Sequence, residues 1–232
     1  MRLLKTSFVF LFALVWTSCQ SNQKQKVKST AVNTENKEIQ TASKLSQEDL
    51  SQYETAYFAS GCFWCVEAIF ESVKGVKEVV SGYAGGTEEN PTYQQVGGGL
   101  TSHAEAVEVY YDPKEISFTA LVQVFFGSHD PTTLNRQGPD RGSQYRSVAF
   151  YQTENEKKTI EAYIGALKDQ DVYDGAVITT QVMELDKFWI AEEYHQDYEK
   201  KHPNNSYIRN VSIPRLNKFK ANFGDFLKED QH

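Results

Sequence analysis

Within residues 57–73 the hydrophobic period changes once, and that change constrains the fold more than any other feature of the chain. Tyr57-Phe58-Ala59 is a short apolar run of the kind a buried strand carries, whereas Val66, Ile69, Phe70 and Val73 recur at the i, i+3, i+4, i+7 spacing of an amphipathic helix. Only Ser60 and Gly61 separate the strand from the helix, whose first turn reads Cys62-Phe63-Trp64-Cys65. Backbone N–H groups without intrahelical partners and the positive end of the helix dipole favour a thiolate at that place. A lone Cys beside core aromatics reads as packing. Two at CxxC spacing on a strand-to-helix junction read as a redox couple or half a metal site.

Downstream, Gly75 marks the end of the helix and 76–83 reads as a strand. The Gly-, Thr-, Asn- and Pro-rich stretch 82–102 is longer than a plain connector. Its Gly85-Gly86 and Gly97-Gly98-Gly99 lack the Lys-Ser or Lys-Thr ending of a phosphate loop and read as turns. Residues 104–111 alternate as a strand in which Glu105 shares a face with Val107 and Val109. A carboxylate on an apolar face is costly unless it sits at a frayed strand end, is paired, or keeps its proton. Asp112-Pro113 closes that strand, and Ser117 caps a second helix marked by Phe118, Leu121, Val122, Phe125 and Phe126. A polar loop, 127–145, leads to a strand at 147–151 and a third helix through Ile160, Tyr163, Ile164 and Leu167. The pattern predicts a further strand at 177–185, a short helix over 188–201 and a closing helical turn through Phe219, Phe223 and Phe226. The order βαββαβ with additions predicts the α+β class: a ferredoxin-like two-layer α/β sandwich on a mixed, mainly antiparallel sheet.

The formal charge of −7, with no Lys/Arg block in the domain, excludes the concentrated basic face that nucleic-acid binding needs. Residues 1–18 place Arg2 and Lys5 before an apolar run at 8–16 and small residues before Cys19, the plan of a secretory signal. The run is too short for a comfortable membrane span. Val15-Trp16-Thr17-Ser18-Cys19 resembles the lipobox of bacterial lipoproteins, with Trp16 where Leu is usual. That resemblance implies a lipid on Cys19 and a membrane-anchored protein facing the periplasm or cell exterior. Residues 19–52 are rich in Ser, Thr, Asn, Gln, Lys and Glu with no aromatic, cannot bury enough surface to fold, and read as a disordered tether. The remaining 53–232, about 180 residues, suffices for one domain with a substantial core. Of three cysteines, lipidation would consume Cys19 and leave Cys62 and Cys65, so no disulfide framework stabilises the domain.

From Gly61 to Glu67 the chain resembles the peptide methionine sulfoxide reductase A family, whose hallmark is Gly-Cys-Phe-Trp followed by Gly or Cys and, shortly after, Glu. The match extends through Asn90-Pro91-Thr92-Tyr93, His103-Ala104-Glu105-Ala106-Val107, His129-Asp130-Pro131, Arg136-Gln137-Gly138, Asp140 with Gly142-Ser143-Gln144-Tyr145-Arg146-Ser147, and Glu193-Tyr194-His195-Gln196-Asp197-Tyr198. The resemblance implies Cys62 as nucleophile, Phe63 and Trp64 as walls of a pocket for the substrate methyl group, and Glu105 as the acid that protonates the sulfoxide oxygen. Tyr93 and Tyr145 would hydrogen-bond that oxygen, and Asp140 and Tyr198 would line the same site, with the long loops serving as active-site loops. It further implies reduction of the S epimer of methionine sulfoxide, free and in proteins, by a monomer that needs no cofactor or metal and is regenerated by a thioredoxin-type donor.

One departure from the family matters. Many members carry a resolving Cys near the C-terminus, after an Asn-Pro-Tyr type sequence, whereas here His202-Pro203-Asn204-Asn205-Ser206-Tyr207-Ile208 continues without any Cys. Cys65 is then the only candidate within the domain for reducing a Cys62 sulfenic acid. Three rival readings compete. A thioredoxin-like exchanger also uses CxxC at a helix start, but not with Glu105 and its tyrosines. His103-Ala104-Glu105 with CxxC resembles the zinc deaminase pairing, in which, however, HxE precedes the CxxC and a Pro precedes its first Cys; His103, His129, His195 and His202 read as structural or surface residues. An exported binding lipoprotein would account for 14 Phe and 13 Tyr but not for the ordered polar motifs.

Overall fold

The computed structural model describes residues 50–229. The signal segment expected at 1–18, the lipidation expected at Cys19 and the expected tether as far as residue 49 lie outside the described residues.

Strand β1 (Glu54–Ser60) is longer than the apolar run alone, because Glu54 to Phe58 pair antiparallel with β3 (Ala104–Tyr111) while Phe58 to Ser60 pair antiparallel with β6 (Ser147–Tyr151). β3 also pairs antiparallel with β2 (Val76–Ala84), so β1 and β2 run parallel with β3 between them. Helix α1 (Phe63–Glu71) makes the crossover, and α3 (Phe118–Gly127) connects β3 to the later strands. With the edge strands β7 (Gln181–Glu184) and β8 (Phe188–Ile190) the sheet order is β7-β6-β1-β3-β2-β8. Its inner four strands have the ferredoxin-like arrangement expected from the βαββαβ order, and only β6–β7 is parallel.

Both faces of the sheet are covered. Ala56, Phe58, Val107, Val109, Tyr111 and Ala149 face the main core with α1 and α3, whereas Tyr57, Ala59, Ala104, Ala106, Val148 and Phe150 face a smaller cluster under Met183, Leu185 and Phe188. Strand periodicity decides this division, since alternate residues point to opposite faces. Phe58 is fully buried and stacks on Phe70 of α1 at 5.1 Å and on Phe125 of α3 at 5.0 Å, so one β1 side chain locks both helices to the sheet. Truncating such a side chain costs ~3–5 kcal/mol.

Four details correct the sequence expectations. Helix α1 stops at Glu71, where the Ser72 hydroxyl donates to the Ile69 carbonyl at 2.6 Å, and Gly75 instead supplies the φ of +84° in the turn to β2. Stretch 82–102 holds a short helix, α2 (Tyr93–Gly97), after β2 has continued to Ala84. Residues 177–180 do not join the sheet: the Thr179 N–H and hydroxyl both donate to the Pro131 carbonyl, at 2.8 and 3.0 Å, and only 181–184 pair with β6. The helix expected over 188–201 is a strand, a 3₁₀ turn (Glu193–His195) and the single turn α5 (Tyr198–Lys201). Phe188-Trp189-Ile190 favours extended chain, the Gln196 side chain bonds both Ser81 N–H and C=O, and Asp197 at φ +53° breaks the helical path.

The third helix is as the pattern indicates, whereas the loop 127–145 and the C-terminal stretch hold more regular structure than expected. Helix α4 (Glu154–Asp169) carries Ile160 into the core, and the loop 127–145 contains a hairpin of β4 (Arg136–Gln137) and β5 (Asp140–Arg141). A π-helical turn (Ile208–Ser212) runs into α6 (Ile213–Asn222), whose Phe219 is buried.

Candidate active site

Gly61 makes the strand-to-helix turn possible. Its φ of +90° suits glycine, and a Cβ there would stand 2.6 Å from Gln137 Cβ. The turn leaves Cys62 as N-cap of α1, with its carbonyl accepting from the N–H groups of Cys65 and Val66 at 3.1 and 3.3 Å. Both thiols are free and buried, Cys62 with 6% and Cys65 with 2% exposure.

Glu105 settles the choice left open on β3. It is not at a frayed end: it is 1% exposed, and its Oε2 accepts the Phe63 N–H at 3.1 Å, next to Cys62. Burial pushes its carboxyl up to about 8, an effect opposed by that N–H and reinforced by the charge of Asp140. Glu105 therefore holds a proton at neutral pH in a place where it can be given away.

The walls come from distant parts of the chain. Phe63 is fully buried, with Tyr93 stacked at 6.3 Å and His195 tilted at 5.1 Å. Trp64 lies flat on Tyr198, centroids 3.8 Å apart and planes 7° apart, and its indole N–H donates to His195 Nδ1 at 3.2 Å. Glu67 anchors the other end of this wall, its Oε1 accepting the Asp197 N–H at 3.0 Å, so the turn that carries Tyr198 is tied to α1. Tyr93 is placed by Glu192, which accepts its N–H at 3.0 Å and the Tyr83 hydroxyl at 2.8 Å. Burial, then the charges of Glu105 and Cys62, push the phenol of Tyr93 up to about 12 and that of Tyr145 higher still, so both remain donors. Tyr145 ends the 3₁₀ turn after β5, and the adjoining Gln144 amide donates to the Gly97 carbonyl at 2.9 Å, joining the two long loops.

The sulfur pair departs from the helix-dipole expectation. Burial first, then Cys65 and Glu105, pushes the Cys62 thiol well up, against the favourable Trp64 N–H. Cys65 is drawn down to about 7 because Cys62 donates a hydrogen bond to it and because Arg215, the Ser212 hydroxyl and Tyr207 outweigh its own burial. The two sulfurs titrate as a pair, and of the two Cys65 is the one that gives up its proton more readily.

Asp140, on β5, accepts the Tyr207 hydroxyl at 2.5 Å, and Tyr207 Oη lies 3.8 Å from Cys65 Sγ. Arg215 of α6 donates to the Ser128 carbonyl at 2.9 Å and to Ser60 Oγ at 3.1 Å, fixing the guanidinium against the turn before Cys62. The residues that the family resemblance marks thus lie together here: Cys62, Cys65, Phe63, Trp64, Tyr93, Glu105, Asp140, Tyr145 and Tyr198. His195, Tyr207 and Arg215 join them. His195 lay inside a quoted motif and Tyr207 beside the missing C-terminal Cys, whereas Arg215 carried no sequence signal at all. Two other histidines are pinned in packing roles, His103 between the Gly86 N–H and the Glu88 carbonyl and His129 between the Phe125 carbonyl and Ser147 Oγ, while His202 is exposed beside Tyr198.

A thiol pair at a helix start, a buried protonated carboxyl beside it and an aromatic pocket define a thiol-dependent reductase of a group that must be protonated to depart. Comparison with known proteins makes the class specific. The family model of peptide methionine sulfoxide reductase matches residues 54–227. The peptide methionine sulfoxide reductase MsrA of Haloquadratum walsbyi is 50% identical over 174 residues, covering 75% of this chain and 98% of that protein. MsrA 1 of Rhodopirellula baltica is 50% identical over 179 residues, covering 75% and 90%. Among solved structures, methionine sulfoxide reductase A of Corynebacterium diphtheriae superposes with a TM-score of 0.59 at 36% identity, covering 66% of this chain and 76% of that one. Reduced Mxr1 of Saccharomyces cerevisiae gives 0.60 at 35%, covering 66% and 87%. The chain belongs to the peptide methionine sulfoxide reductase family.

Proposed function

We infer that the chain reduces the S epimer of methionine sulfoxide, in proteins and as the free amino acid, to methionine. The observation that carries this reading is Glu105: a carboxyl held protonated near neutrality against the backbone of the residue that follows Cys62. A sulfoxide oxygen leaves poorly until protonated, so attack by the Cys62 sulfur on the substrate sulfur needs an acid on the oxygen side. Glu105 gives that proton, Tyr93 and Tyr145 hold the oxygen, and Phe63 and Trp64 enclose the methyl group. In the opposite epimer the oxygen would meet the aromatic wall and the methyl group the donors. Asp140 and Tyr198 act from behind these groups, Asp140 by holding Tyr207 and Tyr198 by backing Trp64.

Cys62 and the sulfoxide exchange one oxygen atom, leaving methionine and a Cys62 sulfenic acid. Cys65 then attacks Cys62, forming the Cys62–Cys65 disulfide and releasing the sulfenic oxygen as water. Its sulfur is one helical turn away, is drawn toward the thiolate by the hydrogen bond from Cys62 and by Arg215, and has no competitor elsewhere in the domain sequence. A thioredoxin-type dithiol restores both thiols. The signal pattern at 1–18, Cys19 and the tether-like 19–52 support an exported, lipid-anchored enzyme that acts on oxidised proteins outside the cytoplasm.

Turnover of separate S and R epimers of a methionine sulfoxide peptide with dithiothreitol tests the central reading. S-epimer reduction alone is expected, and equal rates on both epimers contradict the pocket assignment.

A further inference from the structure

The resolving step requires Cys65 to lose its proton inside the domain, where its side chain is buried. In the resting site the hydrogen bond from the Cys62 thiol contributes most to drawing Cys65 down. That thiol is consumed once Cys62 carries the sulfenic oxygen, so at the moment of attack the Cys65 proton needs another way out.

The π-helical turn Ile208–Ser212 brings a route to the sulfur. Ser212 is fully buried, and its hydroxyl has two neighbours: the Cys65 sulfur, whose thiolate it stabilises, and the carboxyl of Glu199 on α5, to which it is hydrogen-bonded. A hydroxyl carries one hydrogen and two lone pairs, so Ser212 cannot donate both ways at once. With Glu199 ionised, Ser212 donates to Glu199 and accepts from the Cys65 thiol. With Glu199 protonated, Glu199 donates to Ser212 and Ser212 donates to the Cys65 thiolate. One proton shifted along each bond converts the first state into the second.

We propose that Glu199 takes the Cys65 proton, through Ser212, as Cys65 attacks the Cys62 sulfenic acid. The inference rests on the reading of Cys65 as the resolving thiol. The Cys65 proton passes to Ser212 Oγ while the Ser212 proton passes to Glu199. The electron pair left on Cys65 forms the sulfur–sulfur bond, the Cys62 sulfur–oxygen bond breaks, and the departing hydroxide takes the Glu105 proton and leaves as water. Glu199 then releases its proton to solvent and Glu105 takes one back, so the step yields one disulfide and one water.

The surroundings of Glu199 suit this role. Burial pushes its carboxyl up, against Ser212 and Lys220, which narrows the gap between carboxyl and thiol as proton holders. Glu199 is half-buried and lines a cavity of about 480 Å³ with Glu71, Asp197 and the exposed Lys200, where its proton can reach water. At the sulfur end, Arg215 and Tyr207 complete the charged and polar neighbours. Tyr207 is the rival route, but its hydroxyl is engaged with Asp140 at 2.5 Å, and a proton passed that way would cancel the Asp140 charge that helps Glu105 hold its own. Ser212 meets the reacting sulfur itself, and Glu199 acts only through it.

The test is a single turnover of the full chain with one equivalent of a methionine S-sulfoxide peptide and no reductant, quenched at intervals. Methionine release and the two-proton mass loss on the peptide that holds both cysteines are followed separately. Glu199→Gln, whose amide can still bond Ser212, is expected to release methionine within about twofold of wild type and to form the disulfide about 10²-fold more slowly. That deficit should shrink as pH rises and hydroxide takes the Cys65 proton instead. Ser212→Ala should slow the disulfide by a similar factor and the double variant no further, because the two groups act as one unit. An undiminished disulfide rate in Glu199→Gln, or losses that multiply in the double variant, overturns the relay while Cys65 keeps its resolving role. No internal disulfide in wild type overturns both.

Discussion

The two sulfurs of the Cys62 turn sit three residues apart and face opposite chemistry. On the Cys62 side the surroundings are aromatic rings, donor phenols and a carboxyl that keeps its proton. On the Cys65 side they are a guanidinium, a hydroxyl and a phenol, which add to the hydrogen bond from Cys62 in drawing that thiol down to about 7. Helix dipole alone would give the advantage to Cys62, the sulfur nearer the N-terminus. Burial reverses it, and the charge settles where an Arg can meet it. A buried CxxC motif is therefore not polarised by its position on the helix but by what the rest of the chain places against each sulfur.

The strongest way to break this contrast is Cys62→Ser. It should abolish S-epimer reduction even with dithiothreitol, since no other thiol faces the aromatic pocket; residual activity within about tenfold of wild type would show that the assignment is wrong. Next is Glu105→Gln, which should lower kcat by ~10² to 10⁴ with a smaller change in KM, because an amide can hold the oxygen but cannot protonate it. In wild type, kcat should fall as pH rises through about 8, where Glu105 loses its proton, and the variant should lose that limb. An unchanged pH profile in the variant assigns the proton to another group.

Cys65→Ser should leave a single turnover intact, releasing one equivalent of methionine. Steady-state turnover with thioredoxin should fall by about 10- to 100-fold, with partial rescue by small thiols that reach Cys62. Full turnover with thioredoxin would mean that the donor attacks the sulfenic acid itself. Tyr198→Ala removes the ring behind Trp64, and because such stacks contribute ~0.5–1.5 kcal/mol, KM for sulfoxide should rise by about two- to tenfold with disulfide formation unaffected. The smallest change is expected from Arg215→Gln: methionine release stays the same, while the pH at which internal disulfide formation is half-maximal moves upward from about 7. A slower methionine release instead would place Arg215 on the wrong side of the contrast.

Much of this was legible in the sequence where short-range pattern decides. The bounds of β3 and β6, the Ser117 cap and the faces of α1 and α3 follow from periodicity and capping chemistry. Ser117 indeed accepts the Ala120 N–H at 3.2 Å. The motifs pointed one by one to residues that the fold brings together around Cys62. Illegible was whatever depends on contacts made far along the chain. Residues 188–201 pattern as a helix, yet the open edge of β2 and the Gln196 side chain draw them into a strand and turns. Arg215 looks like an ordinary charge on a C-terminal helix, and only the folded chain carries it to Ser60 and the sulfur pair. Glu105 lay between these cases: its face was readable, its burial was not.

The Trp64–Tyr198 stack has a consequence in time. Ribosomes add roughly 5–20 residues per second, so Tyr198 is made on the order of 10 to 30 s after Cys62. Throughout that interval both thiols belong to a chain whose aromatic wall, Asp197 tie and Arg215 do not yet exist. Within the domain, an oxidant met in that window can form only the link between these neighbouring sulfurs, because the domain sequence has no third partner. Within the domain, a growing chain with a single reversible pairing has no wrong disulfide to make.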